Sequence, residues 1–320
     1  KSELPFLSAS ELSRLIQSKE VSPIEATEAY LDRIESEDFR FHSYLTVMRE
    51  QALADATQAE LDISSGNHRG PMHGVPVAVK DQFWSKGVRS TGGSRIMADF
   101  VPGEDATVIT NLRNAGAVVL GKTNMTEFAI TGFSHRFSTP RNPWDIDTYT
   151  GGSSSGSGAA TAAYLCATSL GEDTGGSIRQ PASFCGVYGL KPTYGSVSRF
   201  GLVAYASSLD VIGITAMDVK TMRSVFKTIR GVDTLDQTSV NYPSQPTSNN
   251  RHPVRVGFPA RALEGVDPAI NKAMDIARTR LEEQGIHVVP VEIGSLEEVV
   301  PAYYIIATAE ASANLARYDG

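Results

Sequence analysis

The length, composition and charge of this 320-residue chain exclude several classes of protein. Hydrophobic residues make up 41% of the sequence and charged residues 20%, which is typical of a globular protein and not of a disordered or collagen-like one. The 29 basic and 36 acidic residues give a formal net charge of −7, which disfavours a broad surface for nucleic-acid phosphates. The sequence has no apolar run near the roughly 18 residues of a membrane helix. Its two cysteines, Cys166 and Cys185, favour a reducing compartment without disulfides. We therefore expect a protein of the cytoplasm or an organelle matrix, with no membrane and no direct nucleic-acid contact.

The first part of the chain is predicted to be a helical lead-in. Hydrophobic periodicity predicts short helices over 10–19 and 48–61. Between them, Ser22 and Glu25 form a capping box with proline at the first helical position, which begins a helix that continues over 26–34. We assign residues 1–66 to this lead-in and 67–320 to the domain that follows. Its C-terminal part is expected to be missing, because the chain stops just after an apolar helix pattern over 299–317.

Beyond the lead-in, strand patterns alternate with helix patterns. The predicted strands lie at 75–79, 117–120, 254–258 and 287–293, and the predicted helices at 107–115, 159–170 and 268–284. A polar stretch at 231–252 is predicted to be a surface loop. This alternation indicates a single α/β domain built on a mixed twisted β-sheet covered by helices.

Two glycine-rich loops flank the predicted 159–170 helix. Residues 151–158 are all Gly or Ser, and 171–177 is a second glycine-dense turn. A flexible linker is one interpretation of the first loop. Two such loops on either side of one helix favour instead backbone amides that point at a ligand. The loops also offer two candidate nucleophiles, Ser153 and Ser177.

Other short motifs have weaker support. Residues 116–123 match the phosphate-loop pattern G-x-x-x-x-G-K-[ST], but its four central residues are themselves a predicted strand. Residues 152–156 fit the G-x-S-x-G nucleophile elbow, although no apolar strand precedes them. A Ser-His-Asp triad would need His252 or His287. The histidines and cysteines show no metal-ligand spacing, so no metal is expected.

Lys80 is a candidate base. It follows the predicted strand 75–79, at the carboxyl end where open α/β sheets place their sites. The ordinary alternative is a lysine that extends its ammonium into water. Because side chains alternate along a strand, Asp81 is expected to face away and to leave Lys80 without a counter-ion. Burial would then lower the pKa of the amine and allow it to accept a proton from a serine.

The sequence resembles the amidase signature family along nearly its whole length. The resemblance rests on the GGSS run at 151–154, on GGSIRQPA at 175–182, and on Lys80 before Asp81. It implies the amidase-signature fold and hydrolysis of a carboxamide without a cofactor. It also implies a Ser-cisSer-Lys triad in which Ser177 is the nucleophile, Ser153 the bridging serine after a cis peptide, and Lys80 the base. The implied oxyanion hole consists of the backbone N–H groups of Thr174, Gly175, Gly176 and Ser177.

Within the family, the segments 186–213, 231–236 and 303–320 resemble the members that work in amidotransferase complexes. For those members glutamine is the donor, and partner subunits use ATP and Mg²⁺. Glu172, Ser155 and Ser157 depart from that pattern towards free-standing amidases of small amides. A non-catalytic scaffold or phosphate-binding module that uses the same glycine loops is a third alternative.

Overall fold

The computed structural model describes residues 2–130, 132–133, 137–242, 255–294 and 297–318. The helices in these ranges are α1 (Ala9–Gln17), α2 (Pro23–Phe41), α3 (Arg49–Ser64), α4 (Thr107–Asn114), α5 (Ser155–Ala162), α6 (Arg179–Cys185), α7 (Val219–Ile229), α8 (Pro268–Glu283) and α9 (Val299–Leu315). The strands are β1 (Tyr44–Val47), β2 (Pro76–Lys80), β3 (Val118–Thr123), β4 (Thr168–Asp173), β5 (Tyr188–Leu190), β6 (Val211–Ala216), β7 (Arg255–Phe258) and β8 (His287–Pro290). Within this part of the chain no helix combines the length and the apolar character that spanning a bilayer requires.

The chain forms two compact units. The first consists of Lys1–Asn241 with Ala307–Gly320, and the second of Tyr242–Ile306. The second unit contains β7 and β8, paired in parallel, and the helix α8. Helices α1 to α3 contribute buried side chains to the same core as the strands of the first unit. The division into a lead-in over 1–66 and a domain over 67–320 stays a prediction.

The first unit is built on a mixed six-stranded sheet in the order β1-β3-β2-β4-β6-β5. Strand β2 lies parallel to both β3 and β4, whereas the other neighbours pair antiparallel. The predicted α/β class with a mixed sheet is confirmed. The sequence patterns predicted neither β5 nor β6, and they did not predict β1, which lies inside the predicted helical lead-in. This four-residue strand is only partly buried, and its partner is the distant strand β3, so local periodicity carries no signal for it.

The parallel strands β2 and β4 bring the candidate site residues to one edge of the sheet. Val79 pairs with Leu170, so the carboxyl ends of these two strands lie side by side. Lys80 is the last residue of β2, and Asp173 is the last residue of β4. Every residue of both strands is buried. The loops that follow them therefore leave the core next to each other, as expected for a site at this edge of an α/β sheet.

The predicted helix over 159–170 was wrong in its second half. The observed helix α5 covers Ser155–Ala162, and the chain then enters strand β4 at Thr168. Tyr164 adopts a left-handed backbone with φ of 57°, which ends the helix. The run of small and apolar residues between these elements has no clear period. Sequence alone therefore did not separate a buried helix from a buried strand.

The capping box of α2 forms as predicted. The Glu25 amide donates to Ser22 Oγ, and the Ser22 amide donates to Glu25 Oε2, both at 3.0 Å. Such a cap typically contributes about 1 kcal/mol. The helix then buries Ala26, Tyr30 and Ile34 against the core. The local cap signal and the apolar face therefore agree on where this helix begins and which side it buries.

Gly156, in the glycine-rich segment 151–158, is required by close backbone approach, and this can be tested. A Cβ at Gly156 would lie 2.3 Å from Ser43 O and 2.5 Å from Asn124 N. We expect Gly156→Ala to destabilise the protein by more than about 1 kcal/mol, although alanine normally gains about that much over glycine in a helix. The measurement is the urea unfolding midpoint. Gly103→Ala is the matched control, because a Cβ there meets no atom within 4 Å, and it should change the midpoint little. Equal midpoints for the two variants would contradict the steric argument.

Candidate active site

Lys80 makes the central contact of the candidate site. Its side chain has no exposed surface, and Nζ donates a hydrogen bond to Ser153 Oγ at 2.7 Å. Ser153 itself is only 2% exposed. An amine and a hydroxyl thus meet inside the protein, away from bulk water. This arrangement allows the proton of Ser153 to pass to Lys80 whenever the amine is neutral.

Lys80 has a counter-ion, contrary to the expectation from the sequence. Glu172 Oε2 lies 3.1 Å from Lys80 Nζ, and both side chains are fully buried. Asp81 does face away, as predicted, since its Oδ2 accepts from the Thr91 amide and Oδ1 lies 3.9 Å from Lys122 Nζ. Alternation along β2 places only the side chains of that strand. The counter-ion comes from the neighbouring strand β4, and only the sheet pairing brings it there.

The glycine and serine residues of 151–158 form part of the site and are not a linker. The Gly152–Ser153 peptide bond is cis. The Ser154 amide donates to Ser177 O at 3.0 Å, which holds the two serine-bearing loops together. The Gly152 amide donates to Gln180 Oε1, also at 3.0 Å. Ser177 is half-buried, so part of its surface is open to solvent.

One of the four predicted oxyanion-hole amides already donates a hydrogen bond within the protein. The Gly176 amide donates to Asp173 Oδ1 at 2.8 Å, so it is already used. Its role as an oxyanion donor stays a prediction that requires this hydrogen bond to be released. Among the described residues, the amides of Thr174, Gly175 and Ser177 have no acceptor. These three remain candidates for holding an oxyanion.

Asp173 anchors the turn that carries Ser177. Its Oδ2 accepts from the Ile178 amide at 3.1 Å, and Arg179 Nη2 lies 2.9 Å from Oδ1. Burial would raise the pKa of this carboxyl, but the hydrogen bonds and charge of Arg179 with the nearby amides outweigh it and leave the pKa below its usual value. Asp173 is therefore a carboxylate at neutral pH, and the turn stays ordered around it.

Burial and charge act in opposite directions on the base. Loss of hydration lowers the pKa of Lys80, whereas the carboxylate of Glu172 raises it. The net direction is downward, as expected from burial, although the predicted absence of a counter-ion was wrong. The neutral amine is therefore reached at a lower pH than for a solvated lysine.

Two further carboxyl residues, Glu172 and Asp210, belong to this cluster, and no sequence motif predicted a role for either of them in the site. Thr174 Oγ1 makes a short contact with Glu172 Oε1 and lies 2.7 Å from Asp210 Oδ1. Burial, and secondly the charge of Glu172, raise the pKa of Asp210 to about 7. The available signal was Glu172 itself, a charged residue within a strand whose other residues are largely apolar or small. Nothing in the sequence linked Asp210 to it.

The competing motifs receive no support from the geometry. The phosphate-loop match over 116–123 is largely strand β3, and its Lys122 is fully buried, where Nζ donates to Ser90 Oγ at 2.8 Å. Burial lowers the pKa of Lys122 to about 8. His252 lies outside the described residues, and His287 is an exposed residue that opens β8 in the second unit. Across the described ranges, no cluster of His, Cys, Asp and Glu side chains could hold a metal ion.

Known proteins share sequence with nearly the whole chain. The sequence profile of the amidase family matches residues 25–320. The chain belongs to the amidase family. It is 46% identical over 321 residues to the A subunit of the glutamyl-tRNA(Gln) amidotransferase of Desulforamulus reducens, and the match covers 98% of this chain and 66% of that protein. The corresponding protein of Moorella thermoacetica is 48% identical over 325 residues, covering 99% of this chain and 67% of that protein.

Solved structures of the amidase family share the fold. The peptide amidase of Stenotrophomonas maltophilia superposes with a TM-score of 0.89 at 33% identity, over 97% of this chain and 67% of that one. The A subunit of the glutamyl-tRNA(Gln) amidotransferase of Thermotoga maritima superposes with a TM-score of 0.84 at 35% identity, over 97% of this chain and 67% of that one. The amidase-signature fold is thus confirmed. The chain spans about two thirds of the length of the curated relatives it matches.

Proposed function

We propose that this protein hydrolyses a carboxamide through Ser177, Ser153 and Lys80. The observation that carries the proposal is the buried 2.7 Å contact between Lys80 Nζ and Ser153 Oγ, joined to the Ser177 loop by the Ser154 amide. A buried lysine on a serine has a clear chemical use as a base, whereas a scaffold or a phosphate-binding module would not require it. Membership of the amidase family supports the same reaction class.

The reaction follows from the order of these groups. Neutral Lys80 takes the proton of Ser153, which takes the proton of Ser177, and Ser177 Oγ attacks the amide carbon. The amides of Thr174, Gly175 and Ser177 stabilise the oxyanion, and each such donor is typically worth roughly 3 kcal/mol in the transition state. The C–N bond then breaks, and the proton held by Lys80 returns through Ser153 to the departing nitrogen, which leaves as ammonia. Water attacks the acyl ester, and its proton passes back along the same path to free Ser177.

Glutamine is the amide that we favour as substrate. The relatives that share 46% and 48% identity with the chain are amidotransferase subunits, and their names refer to glutamyl-tRNA(Gln). On this proposal the ammonia from glutamine amidates a mischarged tRNA held by partner subunits, which use ATP and Mg²⁺. The amide hydrolysis itself needs no cofactor. The net charge of −7 fits a subunit that leaves tRNA contact to its partners.

A free-standing amidase is the second candidate. The structural superposition with a peptide amidase, at a TM-score of 0.89, favours it, because that value exceeds the 0.84 for the amidotransferase protein. Both candidates use the same triad. For either candidate function we place this protein in the cytoplasm or an organelle matrix, since both cysteines are free and buried.

Ammonia release separates the candidates. We expect the purified protein to release ammonia from glutamine at least about tenfold faster, in kcat/KM, than from a peptide amide or a simple aliphatic amide. The measurement is an ammonia assay at matched concentrations, with Ser177→Ala as the blank. Faster release from the peptide amide would favour the free-standing amidase.

A covalent probe tests the nucleophile without a chosen substrate. A sulfonyl fluoride should label Ser177 at one equivalent per chain. Ser177 Oγ attacks the sulfur as it would attack the amide carbon, and fluoride leaves. Peptide mapping should find the adduct on Ser177 and none on Ser153. No labelling in a correctly folded protein would argue for the scaffold.

A further inference from the structure

Glu172 contacts the proposed base more extensively than a distant counter-ion would. Its Oε2 lies 3.1 Å from Lys80 Nζ, and its own carbonyl oxygen lies 3.5 Å from the same atom. Ser154 Oγ donates to that carbonyl at 3.0 Å. Lys80 Nζ is therefore held between Ser153 and Glu172, and the residue after Ser153 fixes the backbone of Glu172. A shift of Glu172 would move the amine relative to Ser153.

The carboxyl groups of Glu172 and Asp210 are linked through the hydroxyl of Thr174. Thr174 Oγ1 carries one hydrogen but contacts an oxygen of both Glu172 and Asp210. It can donate to one of them only, so the other contact needs a proton on the carboxyl. Asp210 Oδ2 accepts from the Tyr205 amide at 2.9 Å, which fixes its position. One additional proton is thus shared across Thr174, and its location sets the charge that faces Lys80.

The other charges around Lys80 are already paired. Asp173, on the same strand as Glu172, forms its ion pair with Arg179. Asp210 approaches from the segment before β6 and reaches Glu172 only through Thr174. From β2, Asp81 points away towards Lys122. Glu172 is therefore the carboxyl group in direct contact with Lys80 among the described residues.

We propose that Glu172 is a positioning residue for the base: it holds the Lys80 amine on Ser153 and, with Asp210 across Thr174, sets the pH at which that amine becomes neutral. This proposal rests on the proposed amide hydrolysis, in which the neutral amine is the active form. An adjacent carboxylate favours the ammonium, so Glu172 moves the onset of activity to higher pH. In exchange, the ammonium that forms when Lys80 accepts a proton is not left unpaired in the core.

The test is a direct titration of Lys80 in the Ser177→Ala protein, which cannot turn over. Lysine labelled with ¹³C at Cε reports the ionisation of each amine by NMR, and comparison with Lys80→Ala assigns the Lys80 signal. In Glu172→Gln, which keeps the size of the side chain and removes its charge, the pKa of Lys80 should fall by about one unit or more. Lys122 is the internal control, because it is equally buried but paired with Asp81, and its titration should stay in place.

The activity arm uses the protein with Ser177 intact. The rising limb of the kcat/KM profile should move to lower pH in Glu172→Gln by the same amount as the Lys80 titration. At the pH where kcat/KM of the parent is a tenth of its maximum, kcat/KM of the variant should be a several-fold larger fraction of its own maximum. A purely structural role for Glu172 predicts a lower melting temperature with neither the Lys80 pKa nor the limb displaced.

The outcomes are distinguishable. A Lys80 pKa that stays or rises in Glu172→Gln overturns this proposal, even if Ser177 and Lys80 prove essential. Activity that survives both Ser177→Ala and Lys80→Ala overturns the proposed function instead. If Glu172→Gln does not fold, Glu172→Asp takes its place. It keeps the charge but shortens the side chain, which moves the carboxylate away from Lys80 Nζ, and it should shift the Lys80 pKa downward by a smaller amount. No shift there would also overturn the proposal.

Discussion

Replacing Ser177 by alanine is expected to abolish amide hydrolysis, with a loss of at least about a thousandfold in kcat/KM. Ser177 is the nucleophile of the proposed mechanism, and its loop is joined to the Lys80–Ser153 pair by the Ser154 amide contact. Ser153→Ala should cause a loss of similar size, because it removes the proposed proton path between Ser177 and the base. The measurement is the initial rate of ammonia release over amide concentrations from well below to above KM, which gives kcat/KM.

The double variant distinguishes a relay from independent contributions. Groups that act as one unit are strongly non-additive, so Ser153→Ala together with Ser177→Ala should be no worse than either change alone. The folded state is checked by the urea midpoint, which should differ little from that of the parent. A Ser177→Ala protein that keeps more than a tenth of its activity would rule out the assigned nucleophile.

Lys80→Arg is expected to be as inactive as Lys80→Ala. Arginine keeps the positive charge beside Glu172, but its guanidinium does not give up its proton and so cannot act as a base. The two variants should differ in stability. Lys80→Ala leaves Glu172 buried without a partner, at a cost of about 3–5 kcal/mol, whereas Lys80→Arg retains the pair. Urea midpoints and ammonia release on the same samples give both quantities.

The controls for Lys80 separate charge from proton transfer. Adding Glu172→Gln to Lys80→Ala should recover much of the lost stability and none of the activity, because it removes the unpaired carboxylate but restores no base. Turnover by Lys80→Arg would mean that a fixed cation is sufficient. Loss of activity on changing His287, with indifference at Lys80, would instead favour a histidine-dependent triad.

The sequence predicted those parts of the fold that depend on neighbouring residues. The capping box before α2 and the apolar run of β2 carry their own local signals, and both elements begin close to the predicted positions, although α2 continues to Phe41. The end of α5 and the strand β1 were missed, and the elements β5, β6, α6 and α7 were not predicted. The end of α5 is followed by small residues without a hydrophobic period. Strand β1 is stabilised by its pairing with the distant strand β3. Local patterns contain no information about such pairing.

By itself, the sequence identified the serine and lysine residues of the candidate site, because Lys80, Ser153 and Ser177 lie in motifs specific enough to be recognised. Only the tertiary structure decided their environment. It brought Glu172 from β4 to Lys80 of β2, joined it to Asp210 through Thr174, and gave the Gly176 amide to Asp173. The identity of a reactive group is a property of one position in the chain. Its protonation state depends on charges and donors from several strands, and their distances exist only once the sheet has formed.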